Sequence, residues 1–267
     1  MEIGINLGCC KELSVYDEID LMKENGFKKT FCDASREDTE EAISAVQKAG
    51  LVFENLHAQL GDINDMWKED ESGDIMLGKL CGNIRLCRKF QIPTVIVHLS
   101  AGRPAPEITD AGRARYDALM ECSRENGVKI AFENSRAVAN LAMALEKYDD
   151  AGFCWDVGHE VCFTPGMDYM PYFGHKLAAV HIHDNYGILD GDAHMIPFDG
   201  VNNMNKVARE LARVRYEKCI MLEVFKETEF QQGKYNGVSP EEFYKRAADA
   251  ANRLESMVMK NIRECGI

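Results

Sequence analysis

Residues 178–185 read Ala178-Ala179-Val180-His181-Ile182-His183-Asp184-Asn185, and the polar segment that follows contains Asp192-Ala193-His194. The run Ala178–Val180 is typical of a short buried β-strand. It delivers two imidazoles and a carboxylate to the point where the strand passes into a loop. Because neutral imidazole and carboxylate are the usual ligands of zinc, manganese and iron, the stretch predicts a divalent metal site.

Seven further apolar runs precede or follow this one. All eight are short, rich in Val, Ile and Phe and nearly continuous in apolar character, as parallel strands buried on both faces are. They are Glu2–Leu7, Lys28–Asp33, Leu51–His57, Thr94–Leu99, Lys129–Asn134, Phe153–Val157, Ala178–His183 and Cys219–Phe225.

Helix signals separate the predicted strands. Ser14 with Asp17 and Asp38 with Glu41 predict helix N-caps, and 239–242 combines a serine cap with a first-turn proline. Glycines stand where predicted helices end, at Gly26, Gly50, Gly127 and Gly152. Eight strand–helix units in a row predict a (β/α)₈ barrel, with one domain over residues 1–267.

An open doubly wound sheet is the alternative fold. Such sheets often carry a Gly-x-Gly-x-x-Gly turn after their first strand, because the glycines let the backbone approach a bound pyrophosphate. The corresponding residues here are Leu7-Gly8-Cys9-Cys10, which lack that pattern. The first turn therefore favours the barrel.

A barrel gathers the carboxyl ends of its strands on one face, where active sites of this fold are built. The polar residues at or near these ends are His57, His98, Glu133, Asp156 with His159, His181 with Asp192 and His194, and Glu223. A single rim histidine is as often a satisfied polar residue as a ligand. A carboxylate within an apolar strand, such as Glu133 or Glu223, costs several kcal/mol unless it is paired with a cation. A salt bridge would also pair them, but few basic residues stand at the strand ends.

Composition narrows the functional class. With 267 residues, 46% of them hydrophobic, the chain is long enough for one large core. The net charge of -13 disfavours a polyanionic partner. Ten scattered cysteines without a Cys-x-x-Cys pair indicate reduced packing residues. Because no signal peptide or membrane-length apolar run is evident, we expect a cytoplasmic protein.

Five ordered motifs together resemble the xylose-isomerase-like barrel superfamily, which includes sugar phosphate isomerases and epimerases and endonuclease IV. They are Phe132-Glu133-Asn134, Trp155-Asp156-Val157-Gly158-His159, Val180–Asn185, Asp192-Ala193-His194 and Leu222-Glu223. In the epimerase branch, the resemblance implies one divalent ion held by Glu133, Asp156, His181 and Glu223. In endonuclease IV, three zinc ions would also use His57, His98, His159, Asp192 and His194.

We interpret the chain as a metal-dependent isomerase or epimerase of a sugar, a sugar phosphate or a related polyhydroxy carbonyl compound. One divalent ion, Zn, Mn, Mg or Co, is expected, and the residues leave open the binding of up to three. Glu133 and Glu223 are expected to transfer the proton, because moving a proton beside a carbonyl requires a base, an acid and a positive centre. His57, His98, His159 and Arg136 are expected to contact the substrate. Arg136 or Lys226 would bind a phosphate, and 226–238 is a candidate lid. A homo-oligomer remains open.

The alternative is a trinuclear-zinc phosphodiesterase of the endonuclease IV type that acts on abasic DNA. Its full ligand set is present, but a DNA surface needs several Lys and Arg contacts with backbone phosphates. The segment Gly61–Trp67 carries two acids, and only Arg103 and Arg136 stand close after the next two strands. Trp67 is expected to close over a sugar ring or to pack the rim. Nucleic acid is therefore an unlikely partner; a non-catalytic metal-binding barrel is a third reading.

Overall fold

The computed structural model describes residues 1–264, and every strand pair in its two sheets is parallel. The strands are β1 (Glu2–Asn6), β2 (Lys29–Phe31), β3 (Val52–Phe53), β4 (Leu56–His57), β5 (Thr94–His98), β6 (Lys129–Glu133), β7 (Gly152–Asp156), β8 (Leu177–His181) and β9 (Cys219–Leu222). One sheet has the order β3-β2-β1-β9 and the other the order β4-β5-β6-β7-β8.

The two sheets join into a ring at both edges. Residue Asp33, after β2, bridges to His57 in β4, and Ile182, after β8, bridges to Leu222 in β9. The predicted third strand, Leu51–His57, is thus divided at Glu54-Asn55, so that β3 pairs in one sheet and β4 in the other. Counting β3 and β4 as one interrupted strand gives eight, and the predicted (β/α)₈ barrel is confirmed.

Helices connect the strands. They are α1 (Val15–Glu24), α2 (Thr39–Lys48), α3 (Glu71–Phe90), α4 (Asp110–Asn126), α5 (Val138–Lys147), α6 (Val157–Cys162), α7 (Met170–Phe173), α8 (Met204–Arg213) and α9 (Pro240–Glu264). Within residues 1–264, no helix combines the length and the apolar character that a membrane crossing requires. The prediction of one domain over 1–267 stays a prediction, because 265–267 lie outside the described residues.

The helix-start predictions have mixed outcomes. Ser14 accepts a hydrogen bond from the Asp17 N–H and completes the predicted capping box. Asp38 was expected to cap α2 in the same way, but this is wrong, because its side chain makes no cap hydrogen bond. Both its carboxylate oxygens instead accept from Arg36, at 3.0 and 2.9 Å. A guanidinium two residues away has outcompeted the helix N-terminus.

Register places the site residues on two adjoining levels of the barrel interior, because Glu133 pairs with Cys154 and Asp156 lies two residues further along β7. His98 pairs with Glu133, and Asp156 pairs with His181. Because side chains alternate along a strand, residues paired in register point to the same side of the sheet. Two positions earlier, the inner residues are small or apolar, and Ile96, Ala131 and Cys154 pack together there. On the carboxyl-terminal side of this apolar layer lie the ionisable side chains of the site.

Candidate metal centre

A cavity of about 370 Å³ opens at the carboxyl ends of the strands. Its walls include His57, His98, His159, Asp192 and Glu223, which come from five of the predicted strand ends or their loops. Glu133, Asp156 and His181 have no exposed side-chain surface and lie beneath these residues. The structure thus brings together all nine side chains proposed as ligands, and six of the chain's seven histidines lie here.

Glu133 is at the centre of the cluster. One of its carboxylate oxygens lies 3.3 Å from His57 Nε2 and 3.1 Å from His98 Nε2. The other lies 3.2 Å from His181 Nδ1. A buried carboxylate costs several kcal/mol unless positive charge or hydrogen-bond donors surround it, and here only imidazoles do so at close range. Glu133 can bridge two neighbouring cation positions.

The four residues expected to hold the tight ion converge at the floor of the cavity. Glu133, Asp156, His181 and Glu223 each place one ligand atom within 4.8 Å of the other three. His181 Nδ1 lies between the two glutamates, 3.3 Å from the Glu223 carboxylate. The ring of Phe31 stacks on the imidazole at 4.5 Å and fixes its plane.

A second group lies beside the first. Asp192 Oδ2 is 3.1 Å from His159 Nε2 and 3.0 Å from His194 Nε2. His183, whose imidazole was part of the stretch that predicted a metal site but not one of the nine expected ligands, completes a group of four potential ligands there. However, its ring stacks on His194 at 4.2 Å with an interplanar angle of 24°, so one ion cannot lie in the planes of both rings at bonding distance. His183 Nε2 also lies 3.0 Å from Asp156 Oδ1, which makes it a neighbour of the first group.

Ring orientation shows which imidazole nitrogens face the site. Three Nδ1 atoms lie within hydrogen-bond distance of backbone carbonyls: His57 at 2.8 Å from Ala58, His159 at 3.0 Å from Asn134, and His194 at 3.0 Å from Glu223. Since a carbonyl only accepts, each Nδ1 carries a proton, and in the neutral ring Nε2 then offers a lone pair. These lone pairs point at carboxylates. Such an arrangement is repulsive without a second proton or a cation between the groups, and it is the arrangement that metal-ligating histidines adopt.

The pKa shifts report the same demand for positive charge. Burial lowers the pKa of His159, but Asp156 and Asp192 outweigh it and raise that pKa to about 10. In the same way, burial opposes and Asp192 raises the pKa of His194, to about 9. Burial raises the pKa of Glu133, yet His181 and His98 hold it well below its usual range. The carboxylates are therefore ionised, and they attract either protons or metal ions to the surrounding imidazoles.

Unpartnered atoms support a cation over a closed hydrogen-bond network. Among residues 1–264, Asp156 Oδ2 and Asp192 Oδ1 are buried and lack a hydrogen-bond partner. Buried polar atoms in folded proteins are almost always satisfied. The residues present therefore fit a divalent ion: oxygen and imidazole donors, a surplus of carboxylates and no Lys or Arg within salt-bridge distance of Glu133, Asp156 or Glu223.

Supporting side chains hold the ligands in place. The Asn134 side chain bonds both backbone groups of Asp156 at 2.8 Å, and the His159 N–H donates to Asp156 Oδ1 at 2.6 Å. Buried Asp184 accepts from the N–H groups of Asn185, Phe198 and Asn202, which ties down the loop that carries Asp192 and His194. Asn134 and Asp184 were in the quoted motifs, but only the structure shows what they bond.

Gly158 gives a test of this packing. A Cβ at this position would lie 1.9 Å from His183 Cε1, so the buried ring occupies the space that any side chain needs. We expect Gly158→Ala to lower the free energy of unfolding by roughly 1–3 kcal/mol or more and to weaken metal retention, since His183 and Asp156 must shift. Chemical denaturation and elemental analysis check this. Gly82→Ala, on α3 with open space at its Cβ, is the matched control, and equal stability of both variants would contradict the assigned packing.

Other predicted contacts have different environments. Arg136 lines the cavity. Lys226 does not line it, and its ammonium group pairs with Glu12. Trp67 is buried, donates its indole N–H to the Leu99 carbonyl at 2.7 Å and packs under the rim rather than over the cavity.

The segment 226–238 also lies beside the cavity and does not line it. The Gln231 amide donates to the carbonyls of Ala193 and Phe225, and the Tyr235 hydroxyl accepts from the Ile196 N–H. Both side chains are buried. In this structure, the candidate lid supports the loop after β8.

Comparisons with known proteins agree with this architecture. An uncharacterized protein, y4fM of Sinorhizobium fredii, is 32% identical over 297 residues, with 91% of each chain covered. D-psicose 3-epimerase from Clostridium cellulolyticum superposes with a TM-score of 0.75 at 13% identity, over 97% of this chain and 99% of its own. An IolI protein with a bound zinc atom gives 0.76 at 16% identity, over 98% and 99%.

An L-ribulose 3-epimerase structure gives a TM-score of 0.75 at 16% identity, over 100% of this chain and 97% of its own. At such identities, the structural likeness shows the fold alone. The sequence, however, matches the family model described as xylose isomerase-like TIM barrel over residues 16–255. Together with the ring of parallel strands and the ligand layer at its carboxyl end, this match shows that the chain belongs to the xylose isomerase-like TIM barrel family.

Proposed function

We propose that the protein is a divalent-metal-dependent isomerase or epimerase of a small polyhydroxy carbonyl compound. One observation carries the proposal: Glu223 lines a cavity of about 370 Å³ and is also one of four converging ligands. A carbohydrate fits a cavity of this size, and the similarity to sugar epimerase structures supports the same class. The reaction would move a proton on the carbon beside the carbonyl, through an enediolate.

The ion would be held by Glu133, Asp156, His181 and Glu223. When bound, it supplies a positive centre that stabilises negative charge on substrate oxygens. Zn, Mn, Mg and Co are all compatible with the donors, and the zinc in the IolI structure supports the first of them. We propose one tight site, because four ligands converge there. Each neighbouring group has only three ligands whose ring planes allow them to bind the same ion.

Glu223 is the proposed base that touches the substrate. Its carboxylate borders the cavity, and His181 and His194 hold its pKa below the usual range despite burial, which by itself raises it. We retain Glu133 as the second proton-transfer group, although His57 and His98 separate it from the cavity. Its access to a substrate therefore requires that these two rings move or relay the proton.

The proposed substrate contacts are His57, His98, His159 and Arg136, all of which line the cavity. His159 has both ring nitrogens engaged, by Asn134 and Asp192, so its contact with a substrate would be through the ring edge or through a shared ion. The decisive experiment is a screen of ketoses, their phosphates and sugar acids for exchange of a C–H proton with deuterated solvent, followed by NMR. Metal-dependent exchange supports the proposal.

A phosphodiesterase of the endonuclease IV type is the second candidate, and the potential ligand groups beside the four-residue site, at Asp192 and at His57 with His98, favour it. The net charge of -13 and acidic side chains around the cavity oppose it, because DNA affinity grows with the number of phosphate contacts. A cytoplasmic location and a homo-oligomer stay predictions under either function.

We expect no incision of abasic duplex DNA by the zinc-loaded protein at physiological salt. The physical reason is the net charge of -13 and a cavity lining in which three acids, Asp33, Asp192 and Glu223, outnumber two arginines, Arg36 and Arg136. The measurement is gel analysis of an abasic oligonucleotide, with an uncut duplex of the same sequence as control. Metal-dependent cleavage at catalytic protein concentrations would reverse the order of the two functions.

A further inference from the structure

We propose that the substrate carries an anionic terminal group, a carboxylate or a phosphate, which binds the guanidinium of Arg136. This rests on the proposed function, since it names the class of molecule that enters the same cavity. Arg136 follows β6 and lines the cavity, while its side chain is only 18% exposed. A largely buried charge needs fixed partners, and those of Arg136 leave part of the group free.

Arg136 is held on two sides. Its Nε donates to Asp190 Oδ1 at 2.7 Å, and the guanidinium carbon lies 3.5 Å from the centre of the Phe163 ring. The other face-to-face neighbour of Phe163 is His159, at 4.4 Å, so one aromatic ring connects Arg136 to the ligand layer. These contacts fix the plane of the guanidinium before any ligand binds.

The two terminal nitrogens of Arg136 remain free. Among residues 1–264, neither Nη atom donates to a protein acceptor, whereas Arg36, the other arginine of the cavity, has its Nε and Nη2 occupied by Asp38. A free Nη1–Nη2 edge is the part of arginine that matches the two oxygens of a carboxylate or a phosphate. A neutral hydroxyl would use only part of this edge.

Charge balance at this position favours an anion. Arg103 also contacts Asp190, at 2.9 and 3.2 Å, so two positive groups share one carboxylate and one unit of positive charge is left over. Ser100 adds a donor: it is buried, lines the cavity and shares a 3.3 Å hydrogen bond with Ser135. Each hydroxyl has one proton, and the shared hydrogen bond uses only one of the two. Within residues 1–264, neither hydroxyl has a further acceptor, so the second proton can be donated to a ligand.

The test compares three non-reactive polyols by calorimetry: sorbitol, gluconate and sorbitol 6-phosphate. The purified protein is titrated with each, as isolated and after chelator treatment, so that direct binding to metal is separated from binding to Arg136. We expect at least one anion to bind about tenfold or more tightly than sorbitol, since a charge-assisted pair exceeds a neutral one. Gluconate and the phosphate ester distinguish the two anionic groups.

Arg136→Met should remove this preference, because it lowers the affinity for the anion by about tenfold or more and that for sorbitol much less. Arg136→Lys, which keeps the charge without the fork, should retain part of the preference. Arg85→Met, on an exposed turn of α3, is the matched control. Equal affinity for all three polyols, no measurable binding of either anion, or a preference that persists in Arg136→Met would overturn the proposal. Because binding is measured without turnover, a failure of proton exchange would contradict the proposed reaction and leave this inference standing.

Discussion

Replacing Glu223 with Gln is expected to slow substrate C–H exchange by at least about a hundredfold, the usual scale of general acid–base catalysis, while most of the metal stays bound. Gln keeps an oxygen that can act as a ligand but removes the basic site. The carboxylate faces the cavity, and His181 and His194 hold its pKa below the usual range, so it is ionised rather than protonated before substrate binds. Exchange in deuterated solvent, followed by NMR, measures the effect.

Glu227→Gln is the matched control, because this exposed glutamate lies four residues along the same segment and outside the cavity. Glu133→Gln tests the second proposed proton-transfer group, which two histidines cover. A large loss in Glu223→Gln alone would assign the proton transfer to one base. Wild-type exchange in both site variants would leave these glutamates as ligands only.

Replacing His181 with Ala is expected to remove the tightly bound ion. His181 is fully buried, and its Nδ1 lies within 3.3 Å of both glutamates, so its loss removes the one nitrogen among the four converging ligands. Elemental analysis after dialysis should show about one equivalent less metal than in the wild type. The reason is that a metal site loses affinity sharply when one of its ligands is deleted.

His175→Ala is the control for His181, because His175 is exposed and belongs to none of the ligand groups. A denaturation curve must accompany the metal analysis, since removing the imidazole also leaves a space beside Phe31. A folded His181→Ala protein with wild-type metal content would show that the four-ligand assignment is wrong.

Much of the fold could be predicted because barrel strands are nearly continuous apolar runs with polar residues at one end. Thr94–His98 and Lys129–Glu133 begin where the apolar runs predicted them to begin. The interruption of the third strand was not predictable, because Glu54 and Asn55 interrupt it only through pairing with different neighbours on either side. Pairing partners are distant in sequence, and composition does not encode them.

The site, like the fold, could be predicted from the sequence only in part. Residue type and strand position predicted which side chains converge, from His57 to Glu223, because the barrel brings strand ends together. Depth was not predictable: Glu133 lies below His57 and His98, and Arg136 is stacked on Phe163 and tied to Asp190. These details depend on loop conformations after β6, β7 and β8. Only coordinates show them.

The most direct test of the central claim is anomalous diffraction at the absorption edge of the metal, from crystals of the protein as purified and after a zinc soak. We expect an anomalous difference peak among Glu133, Asp156, His181 and Glu223. If the ion is zinc, the peak should lie about 2.0–2.2 Å from their ligand atoms. Weaker peaks beside Asp192 or between His57 and His98 would show that further ions bind beside the tight site. Soaked crystals with no peak among the four residues would contradict the central claim.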